Sequence, residues 1–398
     1  MVLPLETNQY LEYFLKRDVT KLYLSVAIRN LALGMVLLFE PIYIYLYFGE
    51  SLPLARLFFA AMFGLFGFLA PFGGRLMAKI GTTKSILLSL LFYFGYYLSL
   101  FFFPVSFLFV PLSLLLITAG MLLFWPAFHT DFARFSSEQR RGREVGRLNV
   151  ISLIPLIVSP ALGGWVLASF GYPVLFIVVL VVLLASSLPL FYCKETHEAY
   201  EDSYKKAWKR AWRRENRGTT AGFAFAGLEH IIYFLFWPLF LFVLAVHFDS
   251  IGAIASLALV ASSLFMLYVG RVSDTQDRSW LLNIGALWTS VSWVLKFFVT
   301  TAFDALLAHT LYRISLAAAN IPFQTFFYEK AASKGPEADE FVVHREIIVN
   351  VSRFFLLSLL ALVFFLFPSL PVHGMFLVAA VFALGLMLAG QPPKLSLR

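Results

Sequence analysis

The amino-acid sequence predicts an all-α integral membrane protein with about twelve transmembrane helices in two pseudo-symmetric six-helix bundles. Three observations support this fold class: an apolar composition, a series of long apolar segments, and an internal repeat. Of the 398 residues, 60% are hydrophobic and only 14% are charged, and the mean hydropathy is +0.81. Soluble domains are ~45–50% apolar and ~25% charged. The composition therefore indicates that lipid is the main solvent of this chain.

The apolar segments are each long enough to cross a bilayer as a helix of ~20 residues. Helices are expected because a lipid-exposed backbone must satisfy its own hydrogen bonds. Spans 1 to 6, the first half, lie at 20–48, 53–73, 84–104, 106–129, 147–170 and 173–192. Spans 7 to 12, the second half, lie at 220–246, 250–270, 279–300, 303–329, 342–367 and 370–390. The two sets predict bundles over 20–192 and 220–390.

Lys and Arg residues are concentrated at both chain ends and in the connections that follow even-numbered spans. The positive-inside rule therefore places the N-terminal segment 1–19, the linker 193–219 and the tail 391–398 in the cytoplasm. Charged residues precede the first apolar run, which does not fit a cleavable signal peptide, so span 1 is expected to be retained. We expect a multi-pass protein of the plasma (inner) membrane. This sidedness explains the net charge of +8 without binding of nucleic acid.

The linker has an amphipathic pattern. Its aromatic residues Tyr200, Tyr204, Trp208 and Trp212 recur every four residues, and Lys and Arg occupy much of the remaining surface. This pattern is typical of a helix that lies on a membrane surface and is attracted to anionic lipid, here over 200–217. A solvated charged segment is the alternative for the second part of the linker.

Four short patterns recur in the same order in the two halves. The offset between the copies is 196 for two of the pairs and 197 for a third. The paired positions are Gly74 and Gly270, Pro126 and Pro322, Pro41 and Pro238, and Arg143 and Arg345. Duplicated halves with both termini on one side of the membrane must be parallel repeats. A solute site is then expected between the halves, near the midplane of the bilayer.

The connection after span 2 resembles a signature of the major facilitator superfamily, Gly-x-Leu-x-Asp-Arg-x-Gly-Arg. Gly74, Leu76, Lys79 and Gly81 match it in kind, whereas Ala78 stands at the aspartate position. The second copy of this motif, after span 8, retains the aspartate. The chain is similar to this family over nearly its whole length.

The resemblance implies a latch that closes the cytoplasmic ends of the helices. The alternative for the first copy is that its glycines only make a tight turn. Glu346 and Arg353 are expected either to join the latch or to neutralise each other. The candidate latch residues are Gly74, Arg75, Gly81, Gly270, Arg271, Asp274, Asp131, Arg143, Arg345, Glu346 and Arg353.

Span 5 contains the sequence SPALGG at 159–164, which resembles the Gly-Pro-x-x-Gly-Gly pattern of antiporters in this family. Gly163 and Gly164 allow close approach of another backbone, and Pro160 loosens the helix. Ser159 replaces the leading glycine of the pattern. The resemblance favours antiport, and plain helix packing by small residues is the alternative.

Polar residues inside the spans are the candidates for a solute and proton site, because a central charge costs ~3 kcal/mol and needs a partner, a wet cavity or a route to the interface. In the family that the chain resembles, spans 1, 4, 7 and 10 line the cavity. The candidates are Arg29, Glu40, Tyr43, Trp125, Glu229, His230, Trp237, Arg313, Asn320 and Gln324.

Glu40 and Glu229 are the expected proton carriers, because burial favours the neutral form of a carboxyl group. Arg313 is expected to pair with Glu229, either directly or through an anionic group of the solute. Arg29 is assigned about equally to the cavity and to snorkelling towards the cytoplasmic face. Lys296, in span 9, is expected to snorkel to the interface.

The sequence thus predicts a secondary active transporter, not an enzyme, which moves a small organic solute by alternating access. Coupling to protons with export by antiport is slightly favoured. The alternatives are a proton symporter or uniporter for an anionic metabolite, and a non-transporting receptor or scaffold. No phosphate-binding loop or metal-ligand spacing occurs, so neither cofactor nor metal is expected. The family resemblance implies a monomer.

Overall fold

The computed structural model describes residues 18–135, 141–192, 200–212, 217–244, 246–275, 278–334 and 337–390. Within these ranges the chain forms helices joined by short connections, with no β-strand. The predicted all-α membrane fold is therefore confirmed. The predicted tail 391–398 and most of the N-terminal segment 1–19 lie outside the described residues.

In the first half, span 1 consists of two helices, Asp18–Val36 and Glu40–Tyr47. The later helices of this half are Leu52–Ile80 for span 2, Thr82–Phe101 for span 3, Phe109–Phe135 for span 4, Arg141–Ser187 for spans 5 and 6, and a 3₁₀ turn at Leu188–Tyr192. Gly171 adopts a φ of 78° and thereby separates spans 5 and 6. Only glycine takes such a conformation without steric cost.

In the linker, residues 200–212 are described before span 7 begins, and they contain the helix Tyr204–Ala211. The helices of the second half are Arg217–Val243 for span 7, Phe248–Thr275 for span 8, Arg278–Phe297 for span 9, Ala302–Ser333 for span 10, Ala338–Leu366 for span 11 and Gly374–Gly385 for span 12, followed by a 3₁₀ turn at Leu386–Gly390.

Seven helices of the described part are long and apolar enough to cross a membrane, or eight if the bent pair in span 1 counts as one span. One of the seven, residues 154–192, contains both span 5 and span 6. Span 12 is a shorter apolar helix, and spans 9 and 10 are long helices. The architecture therefore fits the predicted count of twelve, and the protein is a multi-pass membrane protein.

Span 1 is bent by 40° at the break between its two helices. Pro41 lies in the first turn of the second helix, where its missing N–H leaves no intrahelical bond unmade. The carbonyl oxygen of Phe39 at the break accepts from the hydroxyl of Tyr172 at 3.1 Å as well as from the N–H of Tyr43 at 2.9 Å. The bend is thus stabilised by the surrounding structure, and it places Glu40 at the start of the second helix.

Contacts between helices follow the repeat. Span 1 packs on span 5 as span 7 packs on span 11, and span 3 packs on span 4 as span 9 packs on span 10. Contacts between the halves also follow the repeat. Span 2 packs along span 11, and the corresponding span 8 packs along the corresponding span 5. Parallel repeats related by an axis along the membrane normal produce this arrangement.

The linker helix is docked against the protein. Trp208 stacks on Phe68 of span 2 with ring centroids 5.7 Å apart, and Ala207 and Ala211 are buried. The aromatic stripe that predicted a membrane-surface helix therefore packs largely on other helices, although Trp212 remains 67% exposed. The side of the bundle on which this helix lies is called the linker end below, and the other side is called the opposite end.

Candidate functional site

Glu40 is enclosed within the first half and is only 2% exposed. The hydroxyl groups of Tyr96 and Tyr97, in span 3, donate to its two carboxylate oxygens at 2.7 and 3.3 Å. Both tyrosines are themselves buried. The carboxyl group therefore sits in protein and not against lipid, and uncharged donors surround it.

Glu229 occupies a comparable environment in the second half and is 3% exposed. One of its carboxylate oxygens accepts hydrogen bonds from the indole N–H of Trp293 at 2.7 Å and from the hydroxyl of Tyr312 at 2.8 Å. Trp293 follows Tyr96 at an offset of 197, which is an offset of the repeat. The expected direct pair with Arg313 is replaced by these two aromatic donors.

Lys296 is completely buried, so the expectation that it snorkels to the interface is wrong. Its Nζ lies 3.6 Å from the ring centroid of Tyr312 and 4.2 Å from those of Trp237 and Trp293. Cation–π attraction is worth about 2 kcal/mol or more in a desolvated site and offsets part of the lost hydration. Because Tyr312 and Trp293 also bond Glu229, an acid and a base share the same aromatic walls.

Arg29 is 4% exposed and does not reach an interface. Its guanidinium carbon lies 3.6 Å from the ring centroid of Phe124 and 4.7 Å from that of Tyr93. The Nε of Arg29 is buried without a hydrogen-bond partner. Trp125, which is half-buried, lies farther away at 6.0 Å from the guanidinium. Arg29 is therefore held mainly by aromatic faces.

Two aromatic candidates serve the packing of their own half. The hydroxyl of Tyr43 donates to the carbonyl oxygen of Leu100 at 2.6 Å. Trp237 is buried and stacks on His309 with ring centroids 5.4 Å apart. Tyr43 thus braces span 1 against span 3, whereas Trp237 forms one wall of the Lys296 environment.

The remaining candidates are more accessible. His230 and Asn320 are exposed, and Arg313 and Gln324 are half-buried. The Nε of Arg313 is nevertheless buried and has no hydrogen-bond partner. The structure therefore separates the ten candidates into three enclosed charged residues, three aromatic residues and a more open group of four on spans 7 and 10.

At the linker end, His129 connects the two halves. Its Nδ1 lies 3.0 Å from the hydroxyl of Tyr328 in span 10, and its Nε2 lies 3.1 Å from an Nη of Arg345 in span 11. Arg345 in turn pairs with Glu346 at 2.5 Å. The ends of spans 4, 10 and 11 therefore meet in one polar cluster.

Glu346 and Arg353 do not pair directly. Asn350 lies between them, donating to a carboxylate oxygen of Glu346 at 3.3 Å and accepting from Arg353 at 3.2 Å. Arg353 also donates to the carbonyl oxygen of Gly227 in span 7 at 3.3 Å. Its other nitrogen lies 3.3 Å from Nδ1 of His230. Arg353 therefore joins span 11 to span 7.

The first copy of the glycine motif packs against the linker. A Cβ added at Gly74 would lie 2.8 Å from Val343 of span 11 and 2.9 Å from Tyr200. The Nε of Arg75 donates to the carbonyl oxygen of Asp202 at 3.2 Å. Gly81 makes the turn after span 2 with a φ of 100°. The side chains of Asp131, Arg143, Arg271 and Asp274, and the side-chain environment of Gly270, lie outside the described residues.

A group of ion pairs, called the linker clasp below, joins Asp202, Lys206, Arg210 and Glu337. It was not predicted from the sequence. The carboxylate of Asp202 pairs with Lys206 and Arg210, both at 2.8 Å, and Arg210 also pairs with Glu337 at 2.6 Å. Burial raises the pKa of Asp202, but hydrogen bonds from Lys206 and Arg210 outweigh it, so the pKa lies below its ordinary value. The clasp fastens the linker to the start of span 11.

At the opposite end, the glycines of SPALGG permit direct backbone contact. A Cβ on Gly163 would overlap the carbonyl oxygen of Met35 in span 1, and one on Gly164 would overlap that of Phe248 in span 8. Phe248 also packs edge-on against Phe39, with ring centroids 6.1 Å apart. Contacts between the halves therefore exist at both ends of the bundle.

Comparison with known proteins gave matches to one family. The family model described as Major Facilitator Superfamily matches residues 22–337. No protein with a curated description matches the sequence. The structure resembles that of the human organic anion transporter MFSD10 (TETRAN), with a TM-score of 0.71 at 14% identity over 95% of this chain and 99% of that chain.

The structure is also similar to two structures of the fucose:proton symporter FucP. For a single-residue variant of the E. coli protein, the TM-score is 0.63 at 13% identity over 93% of this chain and 97% of that chain. For FucP in the outward conformation, the TM-score is 0.64 at 13% identity over 95% of this chain and 98% of that chain. At these identities, the likeness shows the shared fold.

Proposed function

The chain belongs to the major facilitator superfamily, and from this premise we propose that it is a secondary active transporter that moves a small organic solute by alternating access, coupled to protons. The observation that carries proton coupling is the pair of enclosed carboxyl groups, Glu40 and Glu229. Each accepts hydrogen bonds from uncharged donors supplied by its own half. Neither group is exposed to lipid.

Because these donors carry no charge, the protonation of Glu40 and Glu229 depends on whether a cation, water or solute reaches the carboxyl groups. A carboxylate in a dry interior costs several kcal/mol unless a cation or water compensates it. Opening either end of the bundle would admit water, and a bound solute would exclude it again. The balance between the charged and neutral forms of Glu40 and Glu229 therefore changes with the state of the transporter, which is the requirement for coupling.

Antiport is the form of coupling that we favour. SPALGG forms a tight contact between spans 5 and 8 at the opposite end, where Gly164 meets Phe248. The His129 cluster and the linker clasp close the linker end. We propose these two regions as the gates that open alternately, with the gate at the opposite end admitting protons in exchange for exported solute.

Flux through purified protein in liposomes tests this function. A panel of lipophilic and anionic solutes is loaded inside or outside vesicles under an imposed pH gradient. Proton antiport predicts accumulation of solute on the more acidic side, and proton symport predicts accumulation on the more alkaline side. Solute flux that ignores the gradient would remove the coupling claim. Binding without flux would support the receptor or scaffold alternative.

An anionic solute is the second candidate, because the buried bases outnumber what the nearby acids can neutralise. Lys296 and Arg313 lie near the single acid Glu229, and in the first half Arg29 has an unpartnered Nε. A carboxylate or phosphate group would complement such a set. Competition among anionic and neutral members of the solute panel separates this candidate from the lipophilic one.

Topology is part of the proposal. From the distribution of Lys and Arg, we place the linker end and both termini in the cytoplasm. We also propose that the protein is a monomer of the plasma membrane, as the family resemblance implies. The bundles over 20–192 and 220–390 are proposed to move as two units. Labelling of single cysteines placed at Lys334 and Glu50 in a Cys193→Ser background, from each side of the membrane, tests the orientation.

A further inference from the structure

A groove of about 450 Å³ opens beside the linker helix. Its walls come from the linker, the first turns of span 7 and the adjoining face of span 11. They include Trp208, Trp212, Ala221, Ala224, Val351 and Phe355. Phe355 is 61% exposed and Trp212 is 67% exposed, so the groove lies at the periphery of the bundle. In a membrane protein this position faces lipid.

The groove extends into the depth of the membrane. Ile347 and Phe355 of span 11 both line it, and they are separated along the helix axis by ~12 Å. Helix 338–366 qualifies as a membrane span, so the deeper part of the groove lies within the hydrocarbon region. Its lining is almost entirely apolar. This shape and polarity suit an acyl chain that runs parallel to the spans.

The linker end of the groove is polar and basic. Arg217 lines the groove and is exposed, and Lys209 of the linker helix is also exposed. The acids Asp202 and Glu337 are engaged by Arg210. An apolar groove thus ends at the exposed guanidinium group of Arg217, which complements an anionic headgroup.

We propose that this groove binds one anionic phospholipid of the leaflet at the linker end. Its phosphate group is bound by Arg217, and one acyl chain lies between spans 7 and 11. A membrane interface is also where Trp side chains and basic residues are enriched. This site is separate from the solute pathway, so it does not depend on the proposed transport activity.

The bound lipid is expected to stabilise the closed state of the linker end. The linker helix contacts span 2 through Trp208 and Phe68, and span 11 through Arg210 and Glu337. A lipid that fills the groove packs against the same helix and stabilises its docked position. Anionic lipid is therefore expected to favour the arrangement in which the linker end is closed.

The test uses the purified full-length chain in detergent with dioleoyl phosphatidylglycerol or dioleoyl phosphatidylcholine as probes, read out by native mass spectrometry. For the unsubstituted protein we expect at least tenfold stronger retention of the anionic lipid. Arg217→Gln should abolish this preference, and Ala224→Phe should reduce the binding of both lipids by blocking the groove. Lys334→Gln, an exposed cation at the same end, should behave like the unsubstituted protein.

Three results would overturn the proposal. Equal losses in Arg217→Gln and Lys334→Gln would mean non-specific attraction by charge. Unchanged binding to Ala224→Phe would mean that the groove is not occupied. Full competition by glycerol phosphate, which has no acyl chain, would assign the site to a free phosphate. Size-exclusion profiles and helical circular dichroism establish that each variant is folded.

Discussion

The indole N–H of Trp293 donates to Glu229 at 2.7 Å. In the first half Tyr96 makes the corresponding bond to Glu40 at the same distance, one repeat offset of 197 earlier. The two acids are separated by 229 − 40 = 189 residues, so the donors follow the repeat and the acids do not. Glu40 and Glu229 therefore lie on different turns of spans 1 and 7, although each accepts from an equivalent donor.

Trp293→Phe removes one of the two donors to Glu229 and should lower the free energy of unfolding by ~1–3 kcal/mol, the usual effect of leaving a buried acceptor short of a partner. Thermal unfolding in detergent measures the effect. Trp288→Phe, on the same helix but 51% exposed, is the matched control and should change little. Equal shifts in the two variants would contradict the assigned role.

Neutral replacements of the acids should uncouple transport from protons. Glu40→Gln and Glu229→Gln retain the shape and a hydrogen-bond acceptor but cannot carry a proton. We expect accumulation driven by a pH gradient to fall at least tenfold, while exchange of labelled for unlabelled solute continues. Glu50→Gln, at an exposed position, is the control. Retained gradient-driven accumulation in both site variants would rule out these residues as proton carriers.

Coupling between Lys296 and Glu229 can be measured with a double-mutant cycle. Lys296→Met removes the charge at similar length, and with Glu229→Gln it should show an interaction energy of ~0.5–3 kcal/mol in unfolding experiments. The reason is that each single variant leaves the other charge uncompensated in a dry site. Additive effects would show that the shared aromatic walls insulate the two groups. For an anionic solute, Lys296→Met should also raise the KM.

The linker clasp should confer a defined pH dependence. The folded pKa of Asp202 is below its unfolded value of about 4, so its contribution is fully present above pH ~4 and is lost as pH falls through the folded pKa. Asp202→Asn should therefore reduce the unfolding temperature at pH 7, and the difference from the unsubstituted protein should shrink below pH ~4. Glu201→Gln, at an exposed neighbouring position, is the control. A difference that persists unchanged in acid would exclude the carboxylate as its source.

Gly164 should be sensitive to the smallest enlargement. Gly164→Ala would place a methyl group against the carbonyl oxygen of Phe248 and hold spans 5 and 8 apart. If the opposite end must close during each cycle, kcat should fall at least tenfold with little change in KM. At Gly374 an added Cβ meets no atom within 4 Å, so Gly374→Ala should transport normally. Normal turnover by both variants would show that this contact is not a gate.

The helices could be predicted from the sequence because hydropathy and turn residues act locally. For span 2, for example, the sequence predicts 53–73 and the structure forms the helix Leu52–Ile80. Its end continues past the apolar run, through Arg75 and Lys79, to the turn at Gly81. Hydropathy indicates which residues meet lipid, whereas backbone hydrogen bonding determines where a helix begins and ends.

Glu40 and Glu229 were also predictable as site residues, because a charged group within an apolar run is costly and therefore indicates a function. Their donors were not, because aromatic residues make up 18% of the chain and only tertiary contacts distinguish Tyr96 or Trp293 from the others. The repeat offset offers a signal that could have been used, as it relates those two positions. Lys296 was misplaced because position along a helix fixes the depth of the Cα but not the direction of the side chain.

The bend in span 1 places Glu40 at the base of the short helix that follows, in addition to its place among buried donors. The arm beyond it, Glu40–Tyr47, has 8 residues and extends ~12 Å. A pivot of ~10° at its base would sweep the tip by ~2 Å, comparable with the displacements that repack a helix interface. If Glu40 carries the proton as proposed, its protonation acts at the base of this arm, whose other end lies at the opposite end of the bundle.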